Sequence, residues 1–184
     1  MENEQIGNWK RKSRQTKYQN NWICVHHDEV INPNGGDGIY GVVHFENMAI
    51  GIIPIDDNGY TWLVGQHRYP QNKFSWEIPE GGGPLGIDPL LSAKRELQEE
   101  VGLTAEDWQL ILKMDLSNSV SDEEAHIYLA KNLQEVEKQP EETEVLTLKH
   151  LPFEEAFQMV LKGEITDSMS VAGILKAHLL LLKK

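Results

Sequence analysis

The chain has 184 residues, 40% of them apolar, which suffices for one domain with a sizeable core and an appendage but not for two full domains. A formal net charge of -12 argues against a nucleic-acid backbone as the main partner, because that association runs on counterion release by basic patches. No stretch approaches the roughly 18 consecutive apolar residues of a membrane-spanning helix, residues 1–10 lack the apolar centre of a signal peptide, and the single cysteine, Cys24, allows neither an internal disulfide nor a cysteine-built zinc site; a cytoplasmic protein is expected.

The polar start carries a basic cluster, Lys10, Arg11, Lys12, Arg14 and Lys17, whose plainest reading is a solvated, partly disordered arm. Strand composition runs over 22–31 and makes Cys24 a small buried hydrophobe. Asn32-Pro33-Asn34-Gly35-Gly36-Asp37-Gly38 is a dense turn signal, and 39–45 is the returning strand. The nearly continuous apolar run 48–55 is stopped by Asp56-Asp57-Asn58-Gly59 and followed by 60–65. This predicts a second hairpin, its first strand central in a sheet covered on both faces. Residues 66–79 mix loop and short strand, with His67 a partly buried histidine.

The stretch from Gly81 to Leu103 holds the strongest pattern. Asp88 is a good N-cap, Pro89 fits the first helical position, and Gly102 suits the left-handed residue that closes a helix, so a helix is predicted over about 89–101. At roughly 100° per residue, Leu90, Ala93, Leu97 and Val101 share one arc that packs, while Glu96, Glu99 and Glu100 share a neighbouring arc that carries charge. Carboxylates in the last turn oppose the helix dipole at a cost of about 0.3–1 kcal/mol each, and they repel one another across the turn. Arg95 relieves part of this through Glu99; a divalent cation would relieve more, since such oxygen clusters suit Mg²⁺.

Beyond it, strands are predicted at 108–116 and 125–130 around a polar loop at 117–123, and at 144–151 after a glutamate-rich loop, 132–143. Two helices close the chain, at about 153–162 and 168–182, the second with Val171, Ile174, Leu175, His178 and Leu182 as core.

Gly81, Arg95, Glu96, Leu97, Glu99, Glu100, Gly102 and Leu103 sit where the Nudix box, Gly-x5-Glu-x7-Arg-Glu-U-x-Glu-Glu-x-Gly-U with U aliphatic, places them, and the chain resembles the Nudix hydrolases. One position departs: the first glutamate of the box is Ile87. In the family that residue is mainly a structural partner of the arginine, so the resemblance implies that Arg95 has lost a brace while the metal-binding glutamates remain. The implied architecture is the α/β Nudix fold, a mixed β-sheet sandwiched between helices (α/β/α) in residues 46–184, with an N-terminal β extension in 1–45.

Further segments are similar to the ADP-ribose and nucleoside-diphosphate-sugar branch: Pro33-Asn34-Gly35, Leu63 to Pro70 with Gln66-His67-Arg68, Trp76-Glu77-Ile78-Pro79-Glu80-Gly81, Asp122-Glu123 and Gly163-Glu164-Ile165-Thr166-Asp167. The resemblance implies Mg²⁺-dependent hydrolysis of a nucleotide-sugar diphosphate, with Mn²⁺ as an alternative, by a homodimer whose N-terminal strands contribute to each other's nucleoside pockets. Metal would be held by Glu96, Glu99, Glu100 and the backbone carbonyl of Glu80, and Arg68 would hold a phosphate oxygen. Tyr18 and Trp22, with Tyr40 behind them, are candidates for stacking on the base, against ordinary core or dimer packing. Glu77 is expected to hydrogen-bond ligand or a neighbouring loop. In this branch the general base is a glutamate on the loop before the last strand; Glu142 matches it, with Glu141 next and Glu123 after that. The same helix also supports hydrolysis of nucleoside triphosphates or of capped RNA 5′ ends, or a non-catalytic ADP-ribose sensor. The acidic balance and the extension argue against RNA, and the three retained glutamates argue against the sensor, which Ile87 alone keeps open.

Overall fold

The computed structural model describes residues 4–138 and 145–182. The chain separates into two compact units, one holding the chain up to Asn47 together with Asp115–Glu123, the other Met48–Met114 and the chain from Glu124 on. Among the described residues no helix is long and apolar enough to cross a membrane.

The first unit is an antiparallel sheet in sequence order, β1 (Glu4–Ile6), β2 (Trp9–Gln19), β3 (Ile23–Ile31) and β4 (Asp37–Phe45). The β3–β4 hairpin is the one the sequence predicts. Its turn is closed by Asn32, whose side-chain oxygen accepts from the Asn34 and Gly36 N–H groups, while Gly35 takes the left-handed conformation at φ 86°. Cys24 is buried in β3 as expected. The basic segment expected to be a solvated arm is instead strand β2, with irregularities in its register between Arg11 and Ser13 and between Thr16 and Tyr18. Three of its five charges are paired, those of Arg11, Lys12 and Arg14. Arg14 donates Nε and Nη2 to the two oxygens of buried Asp28, directly opposite on β3, at 2.8 and 2.7 Å, and Lys12 reaches Asp37 at 2.9 Å. The loop at 117–123 belongs here too: the Val43 N–H donates to the Val120 carbonyl and the Tyr40 hydroxyl to the Ser119 carbonyl.

The second unit carries two sheets, with strand orders β8-β5-β10-β9 and β11-β6-β7. The strands are β5 (Asn47–Pro54), β6 (Tyr60–Arg68), β7 (Lys73–Glu77), β8 (Glu80–Pro84), β9 (Leu103–Asp115), β10 (Glu124–Glu135) and β11 (Thr147–Pro152). The turn at 56–59 forms as predicted, with Asp56 accepting from the Asn58 and Tyr60 N–H groups at 2.9 Å, but β5 and β6 do not pair as a hairpin. β5 pairs in parallel with β10, Ala49 opposite Ala125 through Pro54 opposite Ala130, and β6 pairs with β7 and β11. A run buried on both faces needs apolar neighbours beyond a local partner, and β10 with its own buried stretch from Ala125 to Ala130 supplies them. β9 starts at Leu103, five residues before the predicted strand at 108, because the chain passes straight from the close of the helix into the sheet.

Three α-helices pack in this unit, α1 (Pro89–Glu96), α2 (Phe153–Leu161) and α3 (Ser168–Leu181). Ala93 and Leu97 bury against Ile50, Ile52, Val64, Tyr128 and Ala130. The buried stripe of α3 is Met169, Ser170, Gly173, Ile174 and Ala177. Of the predicted core positions Ile174 is buried, Val171, Leu175 and His178 are half-buried and Leu182 is exposed. Small residues decide this rotation: a Cβ on Gly173 would lie 3.1 Å from Ile127, so the helix comes closest to the sheet along its glycine and alanine side.

Hydrogen bonds from Arg14 hold the Asp28 carboxyl below its ordinary range. A depressed carboxylate stabilises the fold above its unfolded value, near 3.8 here, and loses that contribution as pH falls through the folded value. Asp28→Asn is therefore expected to destabilise the protein at pH 7 by about 2 kcal/mol, below the roughly 3–5 kcal/mol of a fully buried pair because Arg14 is one-third exposed. The difference from the unsubstituted protein should shrink below about pH 4, as urea unfolding followed by tryptophan fluorescence can measure.

Candidate active site

The helix after the glycine loop is capped as its sequence dictates. Asp88 accepts the Leu90 N–H at 3.0 Å, Pro89 opens the first turn, and Gly102 closes the last at φ 78°. Between these caps it is not uniformly α-helical. α1 ends at Glu96, and Leu97–Val101 is a π turn, a form concentrated at functional sites. Widening the turn changes which way its side chains face. Glu96 and Glu100 are only 7% and 3% exposed and Glu99 is half-buried, so the charged arc beside the packing face is drawn inward.

Each buried carboxylate has a shaped place. A Cβ on Gly81 would fall 2.2 Å from the Glu96 carboxyl group, so the glycine is what lets that group lie against the backbone of β8. Oε2 of Glu100 accepts the Glu80 N–H at 2.9 Å, tying the π turn to the start of the same strand. Arg95 donates to Glu99 at 2.5 Å, to the Gly82 carbonyl at 2.7 Å and to Glu96. The brace lost at position 87 is thus replaced by three other acceptors, and Ile87 itself is 52% exposed.

A second guanidinium lies on the other side of this strand start. Arg68, at the end of β6, donates Nε and Nη2 to Glu77 at 3.0 and 2.7 Å and Nη2 to Glu80 Oε1 at 2.9 Å. Two carboxylates thus hold its guanidinium, and its side chain remains 36% exposed. Glu77, buried, acts as its partner on the neighbouring strand. Oε2 of Glu80 is buried with no hydrogen-bond partner, and burial, then Asp167 and Glu77, push the Glu80 carboxyl well above its ordinary range. Asp167 joins Glu77 and Glu80 in a group whose oxygens lie within 4.8 Å of one another. The sequence marks Asp167 only as a branch-like residue; its N-cap position before α3 was the available signal that its side chain is fixed.

These residues fit a divalent cation. The donors are hard oxygens, carboxylates outnumber guanidinium groups, and one buried carboxylate oxygen lacks any donor. The structure brings together Glu77, Glu80, Glu96, Glu99, Glu100 and Arg68 within one unit. Tyr18, Trp22 and Glu123 belong to the other unit; both aromatic rings are exposed rather than packed in a core, and burial, then Asp122, raise the Glu123 carboxyl. Glu142 and Glu141 lie outside the described residues. His67, expected partly buried, is exposed and contacts Asn72 at 3.2 Å.

Comparison with known proteins gives two family matches. Residues 9–43 match the nucleoside diphosphate sugar hydrolase N-terminal domain, and residues 46–169 match the NUDIX domain. The chain is 39% identical over 171 residues to an ADP-ribose pyrophosphatase of Mycobacterium tuberculosis (strain ATCC 25618 / H37Rv), covering 90% of this chain and 81% of that protein. It is 33% identical to a methanol dehydrogenase activator of Bacillus methanolicus, covering 80% of each. A crystal structure described as an ADP compounds hydrolase superposes with a TM-score of 0.86 over 98% of this chain and 97% of that one, at 19% identity, a likeness of fold.

With Arg95 already held by three acceptors, Ile87→Glu is expected to change stability by no more than about 1 kcal/mol, the range of an exposed ion pair, and to leave activity near the level of the unsubstituted protein. Thermal melts and initial rates check this; a collapse of activity would mean that Ile87 packs against something the reaction needs.

Proposed function

The chain belongs to the Nudix family of hydrolases, and we propose that it cleaves the diphosphate linkage of ADP-ribose or a related nucleoside diphosphate sugar, releasing a nucleoside monophosphate and a sugar phosphate. The observation that carries the chemistry is the placing of Glu96 against Gly81 and of Glu100 on the Glu80 N–H, with Glu99 tied to Glu96 through Arg95. The substrate class is supported by the match of residues 9–43 and by the likeness to an ADP-ribose pyrophosphatase along most of the chain.

Glu96, Glu99, Glu100 and Glu80 would hold Mg²⁺, or Mn²⁺ in its place. Bound there, the cation would neutralise diphosphate charge and lower the pKa of a bound water. Every other role falls to the chain itself. Arg68 orients Glu77 and Glu80, Arg95 fixes Glu99 and Glu96, and Tyr18 and Trp22 offer faces on which a base can stack. Glu142 takes the proton of the attacking water, a task suited to a carboxylate not committed to metal.

Products identified after incubation with Mg²⁺ and a panel of ADP-ribose, other nucleotide sugars, nucleoside triphosphates and capped RNA test the reading. AMP and ribose 5-phosphate from ADP-ribose are expected. Turnover of triphosphates or capped RNA alone would overturn it, and ADP-ribose binding without products would make the protein a sensor. Glu100→Gln, which keeps an acceptor for the Glu80 N–H, should fold normally and lower kcat by at least about 100-fold. Glu142→Gln should lower kcat by about 100-fold with ADP-ribose binding little changed, as loss of a general base requires.

The protein is further proposed to be a homodimer through residues 1–45. Ile6, Tyr18, Trp22 and Ile39 stand exposed on the N-terminal sheet, an apolar display that a second copy would cover. Sedimentation equilibrium is expected to give twice the 21.0 kDa chain mass, and a monomer at micromolar concentration contradicts the assignment.

A further inference from the structure

The cation site proposed above depends on where the short segment Glu77–Glu80 lies, and four partners grip it. Arg68 ties the side chains of Glu77 and Glu80. Oε2 of Glu100 takes the Glu80 N–H, and the Ile52 N–H donates to the Pro79 carbonyl at 2.8 Å. The fourth partner comes from a part of the chain with no place in the chemistry so far: Oγ of Ser170, in the first turn of α3, accepts the Ile78 N–H at 2.9 Å.

Ser170 has 0% exposure and sits in an otherwise apolar stripe between Met169 and Gly173. Packing alone would favour an apolar residue there, so the hydroxyl is kept for what it bonds. Ile78 is itself buried, and without the serine oxygen its N–H would have neither protein nor water to meet. The contact is also tight. A Cβ on Gly51 would come 2.8 Å from Ile78 Cδ1 and 3.1 Å from Met169 Cε, so β5, Ile78 and α3 have little room to shift. The serine is held in turn by Asp167, whose Oδ2 accepts the Ser170 N–H at 2.7 Å as the cap of α3.

We propose that Ser170, held by its cap contact to Asp167, is a positioning residue for the cation site. It acts through the peptide at Ile78 on the place of Glu80, two residues on, and through the Glu80 N–H on Glu100. The assignment rests on the metal reading above, and it gives the first turn of α3 a role in metal affinity that its distance along the sequence from the Nudix box conceals.

The test is Mn²⁺ binding to substrate-free protein, measured by isothermal titration calorimetry, with thermal melts on the same samples. Ser170→Ala should weaken Mn²⁺ binding about tenfold, the scale on which outer partners of metal ligands act, while Ser170→Thr, which keeps the hydroxyl, should stay within about twofold. Ser170→Cys, near in size but a poorer acceptor, should fall in the same direction as alanine and serves if alanine fails to fold. Ile174→Val, one turn along the buried stripe, should lower the melting temperature without moving Mn²⁺ affinity, separating position from stability. Unsubstituted protein that binds Mn²⁺ alongside a Ser170→Ala variant that binds it equally well overturns the inference and leaves the metal reading standing. Unsubstituted protein that binds no Mn²⁺ overturns the metal reading and the inference with it.

Discussion

Burying carboxylates next to one another is among the costlier things a fold can do, and the catalytic unit is arranged around that constraint. Two carboxylates 4.8 Å apart repel by roughly 3.5 kcal/mol at an effective dielectric of about 20, and Glu77, Glu80 and Asp167 lie within that spacing with Glu100 beside them. Arg68 offsets part of this by bonding two of the four at once, and backbone N–H groups offset more. What remains is a surplus of negative charge beside an oxygen with no donor, Oε2 of Glu80. The geometry of β6, β7, β8, the π turn and α3 can each be read as a response to that surplus.

Much of this was legible in the residues. Asp88, Pro89 and Gly102 mark the helix limits because their roles depend only on local backbone chemistry, and the structure agrees at all three. The β3–β4 turn was legible for the same reason. The π turn was not, since Leu97–Val101 has an unremarkable helical sequence and the extra residue per turn is set by what Glu100 bonds in β8. The pairing of β5 misled differently: the Asp56 turn is real, but a turn fixes only where the chain reverses, and the ladder went to β10, whose own buried run from Ala125 to Ala130 lies beside it inside one sheet. Strand β2 escaped notice because its polar side chains hide a strand whose charges are matched across to Asp28 and Asp37.

The site divides the same way. Glycine, arginine and glutamate at fixed spacing pointed to Glu96, Glu99 and Glu100; Glu96 lies against Gly81, Glu100 accepts the Glu80 N–H, and Glu99 is joined to Glu96 through Arg95. Arg68 was visible as a residue but its carboxylate partners were not, because nothing local says which acceptors a guanidinium meets. Asp167 and Ser170 are separated from Glu80 by nearly half the chain and meet that segment only through α3.

Arg95 shows how the box tolerates its one departure. An arginine has a planar fork of donors, and here that fork is filled by Glu99, Glu96 and the Gly82 carbonyl, leaving position 87 free to carry an exposed isoleucine. The arginine therefore ties the helix to the glycine loop without the missing glutamate, and in doing so neutralises one end of the acidic arc. The other end, Glu100 at the negative pole of the helix, accepts the Glu80 N–H, a donor that orients the carboxylate on the start of β8. Close by, the carboxylate oxygens of Glu77, Glu80 and Asp167 lie within 4.8 Å of one another and Oε2 of Glu80 is buried with no donor, a set of hard oxygens that fits a divalent cation.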